Sequence, residues 1–353
     1  MQIIDTLRLD GVKRSFTTRR VDLAQAGTLV TEGHAPRSGD VVLVRVDTVG
    51  FHNNVELMNG RRASIYPGDT LLLAYGHRYA PDQFESIVPP TLGPCAMVAG
   101  GGIASHMVAS HATVSAPTAV TPIGLLGDKA GQPINLSDFA VPAAAPRGRV
   151  PLLVVCGTSM NAGKTSSMAA LVRGLTGAGL KVGAVKATGT GHGKDLWMFR
   201  DSGAVEVLDF TDAGYSSTYK VPVDAIERGA DHLVSALETA GCDVILMELA
   251  DGLFQAETRE LMMRPSFRTK TSGVVFAASD AMGAVHGVHR LATHGYAVLA
   301  VSGVITQSPL ARREVAGEIT QPVYSLGELA TPKIALDLLE RARMPVLATE
   351  VVA

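Results

Sequence analysis

Pro151-Leu152-Leu153-Val154-Val155-Cys156, followed by Gly157-Thr158-Ser159-Met160-Asn161-Ala162-Gly163-Lys164-Thr165, decides the fold of this 353-residue chain. The first six residues form a short apolar run of the kind that suits a strand buried on both faces in a parallel sheet. Beyond the loop, Met168, Leu171, Val172 and Leu175 share one helical face, and Gly177-Ala178-Gly179 ends the pattern. Strand, loop ending in Gly-Lys-Thr, and helix is the context a phosphate-binding loop requires. Such a loop turns its N–H groups inward around phosphate oxygens, and the N-terminus of the following helix adds partial positive charge. Gly157, Thr158, Asn161, Ala162, Gly163, Lys164, Thr165 and Ser166 are the candidate nucleotide-binding residues. Lys164 would bring a full charge to the terminal phosphates, and the Thr165 hydroxyl a ligand for Mg²⁺. Thr158 stands where the GxxxxGK[ST] pattern has its first glycine, with Gly157 one position earlier.

Outward from this core, further buried strands are expected at Lys181–Lys186, Val244–Glu248, Gly273–Ala277 and Ala297–Val301. Helices are expected near Asp224–Ala240 and Met282–Thr293. The alternation predicts an α/β unit with a mainly parallel sheet covered by helices on both faces. In such a sheet, the carboxyl ends of the strands face the ligand crevice. Lys186 ends one of these strands and opens KATGTGHGKD, so it is a candidate catalytic residue alongside Lys164. Glu248 closes the apolar run DVILME and is a candidate metal ligand with Thr165. Asp251 competes for that role or serves as a turn residue before Gly252. Asp195 reads as a third metal ligand or as a helix cap.

The loop GTSMNAGKT resembles the phosphate loop of dethiobiotin synthetase, which also reads Gly-Thr, four residues, Gly-Lys-Thr. The likeness extends over roughly residues 151–325. Lys186-Ala187-Thr188-Gly189 matches that family's Lys-Pro-Val-x-Ser/Thr-Gly motif. Asp195 matches its magnesium-binding acid, and Met247–Gly252 loosely matches its Val-Glu-Gly-Ala-Gly-Gly motif. The resemblance implies a Mg·ATP site with Lys164 and Lys186 on the phosphates and Thr165, Asp195 and Glu248 around Mg²⁺. It implies phosphorylation of a small-molecule acceptor such as a carboxylate, with ligation or cyclisation to follow. Ser159 and Ala187 depart from the family's acid and proline. No adenine-reading asparagine is evident at Val301–Val304, so GTP is also possible as the nucleotide. A nucleotide-driven switch or metal/cofactor-delivery NTPase, and a simple small-molecule kinase, are the rival readings; a homodimer is expected.

The first part of the chain reads differently. Asp40–Val46, Asn54–Met58, Thr70–Ala74 and Cys95–Ala99 are β-prone and separated by turns such as Tyr66-Pro67-Gly68-Asp69, which suggests a small barrel or sandwich. The proline- and alanine-rich stretch Val141–Pro151 is the expected connector, giving a smaller β-rich domain over 1–145 and a nucleotide-binding domain over 146–353. Gly100-Gly101-Gly102 forms either an anion cradle or a tight bend. His192 lies in the loop after Lys186 and either touches substrate or is solvated; Trp197 is a substrate wall or a core anchor. Asp280 follows a strand as the base-reading acid of GTP enzymes does, but without the Asn-Lys-x-Asp tetrapeptide.

Composition narrows the class. Lys plus Arg number 31 and Asp plus Glu 33, which excludes the positive surplus of a non-specific nucleic-acid binder. Three dispersed cysteines exclude a disulfide framework and a CxxC zinc site. The charged N-terminus and the lack of any apolar run near ~18 residues lead us to expect a cytoplasmic protein with no membrane partner.

Overall fold

The computed structural model describes residues 2–3, 9, 11–142 and 150–343. Most of the expected connector, residues 143–149, and with it the expected domain boundary, lie outside the described residues. The chain packs as two compact units. The first comprises Met1–Pro142, Thr188–Trp197 and Asp209–Leu233; the second comprises Ala143–Ala187, Met198–Leu208 and Val234–Ala353.

The first unit is β-rich. Its strands are β1 (Gln2–Ile3), β2 (Lys13–Arg14), β3 (Ala26–Val30), β4 (Val41–Thr48), β5 (Asn54–Glu56), β6 (Arg62–Ser64), β7 (Thr70–Tyr75), β8 (Arg78–Tyr79), β9 (Phe84–Ile87), β10 (Cys95–Ala99), β11 (Ile103–Ser110) and β12 (Thr118–Asp128). The pairings β12–β4, β4–β7, β7–β11, β11–β10 and β10–β12 form a closed ring, so the centre of the unit is a five-stranded barrel. Only the β7–β11 step is parallel. Closure leaves these five strands with no unpaired edge between them.

Period-two alternation sorts the barrel's side chains. Val42, Val44 and Val46 of β4 and Leu71, Leu73 and Tyr75 of β7 join one core cluster with Met97, Val120 and Leu125. Their neighbours Val41, Leu43, Leu72 and Ala74 join a second cluster, closed by Val21, Ala26, Leu29, Leu126, Ile134 and Leu136. Both faces of β4 and β7 are therefore covered, which is why DVVLVRV reads as a continuous apolar run rather than an alternating one. Each fully buried Val or Leu contributes about 1.5–3 kcal/mol.

Two later segments complete this unit. Arg19 Nη2 lies 3.1 Å from Asp209 Oδ1 and 2.7 Å from Asp212 Oδ1, and its guanidinium sits 4.1 Å from the centre of the Phe16 ring. Burial opposes the Arg19 charge, but the two aspartates outweigh it and raise its pKa. The carboxylate of Glu56, only 2% exposed, accepts the Gly193 N–H at 2.8 Å and Trp197 Nε1–H at 3.1 Å. His192 Nδ1 lies 3.0 Å from the same carboxylate. A Cβ on Gly101 would stand 2.0 Å from the Gly191 carbonyl oxygen, so only glycine permits that approach. Gly101 thus packs against backbone, Trp197 is anchored by Glu56, and His192 is held by the same acid.

The second unit holds β13 (Leu152–Gly157), α1 (Lys164–Gly177), β14 (Val182–Lys186), β16 (Val244–Glu248), α4 (Ala256–Met263), α5 (Pro265–Lys270), β17 (Gly273–Ala277), α6 (Ala281–Thr293), β18 (Val298–Ser302), α7 (Pro309–Glu318), α8 (Leu326–Leu329) and α9 (Pro332–Arg343). Between β14 and β16 the chain also forms α2 (Lys194–Asp201), β15 (Glu206–Asp209) and α3 (Val223–Thr239). The sheet order is β15-β14-β16-β13-β17-β18. The pairs β13–β16, β13–β17, β14–β16 and β17–β18 are all parallel. Every residue of β13, β16, β17 and β18 is buried, as a sheet covered on both faces requires. The predicted helical face is real: Met168, Leu171, Val172 and Leu175 are all 0% exposed. The chain leaves β13 toward β14 on one side and later reaches β17 on the other. The β13 loop therefore opens at a topological switch point, the place where such sheets bind ligands.

The α/β class read from the sequence is the observed one. Among the described residues no helix is long and apolar enough to cross a membrane, and the three cysteines are free.

Candidate functional site

The phosphate loop emerges from β13 and ends on the first turn of α1. Gly163 is the N-cap of α1, in the left-handed region at φ 97°, where no side chain can cap the helix. The first turn holds no acidic residue. The helix therefore begins with its N–H groups unclaimed by any capping side chain, as an anion site needs. A Cβ on Gly163 would lie 2.9 Å from Gly303 Cα, so the loop after β18 closes on the phosphate loop. The Val304 N–H fixes that approach by donating to the Ala162 carbonyl at 3.0 Å. On the other side, the Leu253 N–H donates to the Gly157 carbonyl at 3.1 Å.

Lys164 is 6% exposed, and its Nζ donates to the Ser159 carbonyl at 2.7 Å. The ammonium is thus folded into the concavity of its own loop. Burial lowers its pKa; Glu248 and Asp251 oppose this, while Lys186 adds to it. A buried cation of this kind gains most from an incoming polyanion, which replaces the hydration it has lost.

Lys186 and Glu248 close neighbouring parallel strands and are register partners. Lys186 Nζ lies 4.0 Å from Glu248 Oε1. The same Oε1 accepts the Thr165 hydroxyl at 3.1 Å. Glu248 is 2% exposed. This unit therefore gathers the predicted Lys164, Thr165, Lys186 and Glu248 around the carboxyl ends of β13, β14 and β16. Asp195 lies in the first turn of α2, within the Thr188–Trp197 segment of the β-rich unit. Asp251 adopts φ 61°, a turn conformation uncommon outside glycine. Asp280 caps α6, accepting the Gly283 N–H at 2.8 Å, which is a structural role.

The donor set fits a magnesium ion. Thr165 Oγ1 and Glu248 Oε1 are hard oxygen donors 3.1 Å apart. Among the described residues no group of three or more His, Cys, Asp or Glu side chains could hold a metal ion by itself. Mg²⁺ suits this pattern, because it is held by one or two protein oxygens plus phosphate and water rather than by an all-protein cage.

The close approach of Gly303 to the phosphate loop and the buried Glu56 were not found from sequence. Gly303 sits in Val301-Ser302-Gly303-Val304, where only the position after a buried strand marks it. Glu56 carries no local signal, since its partners Gly193 and Trp197 are 137 and 141 residues away.

A family model described as MobB, molybdopterin guanine dinucleotide synthesis protein B, matches residues 152–258. Comparison with curated proteins gives no match. Among solved structures, the chain is similar to the 54 kDa signal recognition particle protein from Aeropyrum pernix K1 in complex with GDP. That match has 19% identity and a TM-score of 0.35 and covers 57% of this chain and 50% of that one. The signal recognition particle receptor FtsY from Elizabethkingia anophelis follows at 15% identity and TM-score 0.32, covering 57% and 58%. Chloroplast FtsY from Physcomitrella patens matches at 16% identity and TM-score 0.36, covering 59% and 70%. This chain thus spans about half the length of the first of these structures. The family match takes in the phosphate loop, Lys186 and Glu248, and this region is a P-loop NTPase domain that binds nucleotide. The match is to MobB, not to dethiobiotin synthetase.

Proposed function

We propose that this chain is a Mg²⁺-dependent P-loop enzyme that transfers the terminal phosphoryl group of ATP or GTP to a small-molecule acceptor. The placement of Lys186 carries this reading. Lys164 and the N-terminus of α1 already supply what phosphate binding needs. A second lysine at the end of β14, 4.0 Å from Glu248 Oε1, is an addition suited to charge in transit. Bound Mg·nucleotide would supply the phosphoryl group. Lys164 would hold the terminal phosphate oxygens, Thr165 and Glu248 the metal, and Lys186 would neutralise charge as the bond to the leaving diphosphate lengthens. A carboxylate is the proposed acceptor class. Its oxygen attacks phosphorus, the nucleoside diphosphate departs, and the acyl phosphate is open to an amine, giving ligation or cyclisation. We take the chain to act as a cytoplasmic homodimer.

The MobB match favours a second reading, a nucleotide-driven switch or cofactor-delivery NTPase. Phosphate release measured with Mg·ATP and Mg·GTP separates the two. Release that rises strongly with a small-molecule metabolite fraction supports transfer. Slow basal release that responds only to a protein or a metal supports the switch.

Lys186→Ala is expected to lower the rate of phosphate release by about 10²–10³-fold while changing nucleotide affinity less than about threefold. Single-turnover rates and equilibrium binding measure the two effects. A loss of affinity with an unchanged rate would remove Lys186 from the chemical step.

A further inference from the structure

We propose that the β-rich unit carries a second ligand site, a cleft of about 680 Å³ that binds a small organic anion through its carboxylate or phosphate group. The volume lies within the roughly 300–1,000 Å³ typical of small-molecule sites. All of its lining residues belong to this unit, and none of them takes part in the phosphate loop.

The cleft is built to offer positive charge and donors. One wall is the loop before β4, held by Asp40, which is 3% exposed. Asp40 Oδ2 accepts the Arg37 backbone N–H at 2.8 Å and lies 3.0 Å from His34 Nε2, while Oδ1 accepts Asn135 Nδ2–H at 2.9 Å. The one acidic side chain lining the cleft is thus engaged in fixing its own wall. The exposed Arg37 guanidinium on that wall has no ion-pair or hydrogen-bond partner among the described residues.

The lining also carries Lys220, held at φ 61° in the left-handed region uncommon outside glycine. Its charge is felt inside the cleft: burial lowers the pKa of His77, and Lys220 lowers it further. His77 Nδ1 accepts the Val88 N–H at 3.2 Å, so the neutral ring carries its proton on Nε2, a donor. Pro133, Val221 and Pro222 supply apolar lining. Two cations, a ring N–H donor and short apolar surfaces fit an anion attached to a small organic body.

Calorimetric titration of the full chain with citrate, and separately with inorganic phosphate, tests the site and distinguishes a carboxylate from a phosphate ligand. The proteins compared are the wild type, Arg37→Gln, Lys220→Gln and Lys164→Ala. Both cleft side chains are exposed, so their substitution should leave folding intact. At least one anion should bind, weakened about tenfold or more by each cleft substitution, and this binding should persist in Lys164→Ala. Absence of binding by both anions, binding indifferent to the cleft substitutions, or binding abolished by Lys164→Ala would overturn the proposal. Nucleotide binding by Arg37→Gln stays at the wild-type level in either case, so the two sites stand or fall separately.

Discussion

Lys164→Ala is expected to reduce nucleotide-dependent phosphate release by about 10³-fold or more while leaving the protein folded. The size follows from the environment. The ammonium is 6% exposed and turned onto the Ser159 carbonyl inside its loop. There a fixed charge aimed at a phosphoryl group is worth far more than in water. Stability should change little. Burial already lowers the Lys164 pKa, so removing the charge relieves a desolvation cost and offsets the lost packing. Lys164→Met separates the two effects by retaining most of the stem without the charge. A melting temperature within a few degrees of wild type, combined with lost turnover, is the expected pair of results. Retained turnover would exclude Lys164 from the site.

Arg19→Met is expected to destabilise the β-rich unit by about 3–5 kcal/mol, the usual cost of removing one partner of a buried ion pair. Asp209 and Asp212 are 1% and 3% exposed. Without Arg19, the nearest remaining cation is Arg20, whose Nη1 lies 3.5 Å from Asp212 Oδ1 and which is itself more exposed. The Asp212 pKa is already raised, first by burial and then by Asp209. A raised carboxylate pKa means the folded state takes up protons more readily than the unfolded one. Lowering the pH through the range where Asp212 protonates should therefore shrink the penalty of the substitution. Urea unfolding followed by the fluorescence of Trp197, the only tryptophan in the chain and part of this unit, reads the effect. A loss below about 1 kcal/mol would show that the cluster does not hold the Asp209–Leu233 segment in place.

What could be read from sequence follows burial and sequence distance. Val244–Glu248, Gly273–Ala277 and Cys95–Ala99 have the expected bounds because each is a compact run of mostly buried residues. β12, the longest strand of the barrel, was missed. Pro122 and Gly124 interrupt its pattern, and the register shifts between them where β12 pairs with β4. β11 escaped because its second half is largely exposed and Ser105 and His106 interrupt its apolar pattern. β15 is a four-residue strand at the edge of its sheet, too short to show a period. The same contrast holds for the site. Lys164, Thr165, Lys186 and Glu248 lie at the ends of apolar strands or in a local motif, so the chain announces them. The Glu56 contacts and the Arg19 cluster join residues more than 130 positions apart in sequence, and nothing local marks them.

The most direct measurement is equilibrium titration of the full chain with non-hydrolysable ATP and GTP analogues, in the presence of Mg²⁺ and after its chelation. The account predicts saturable binding of at least one analogue, at one site per chain, weakened by chelation and lost in Lys164→Ala. No binding of either analogue, or binding indifferent to Lys164, would contradict it.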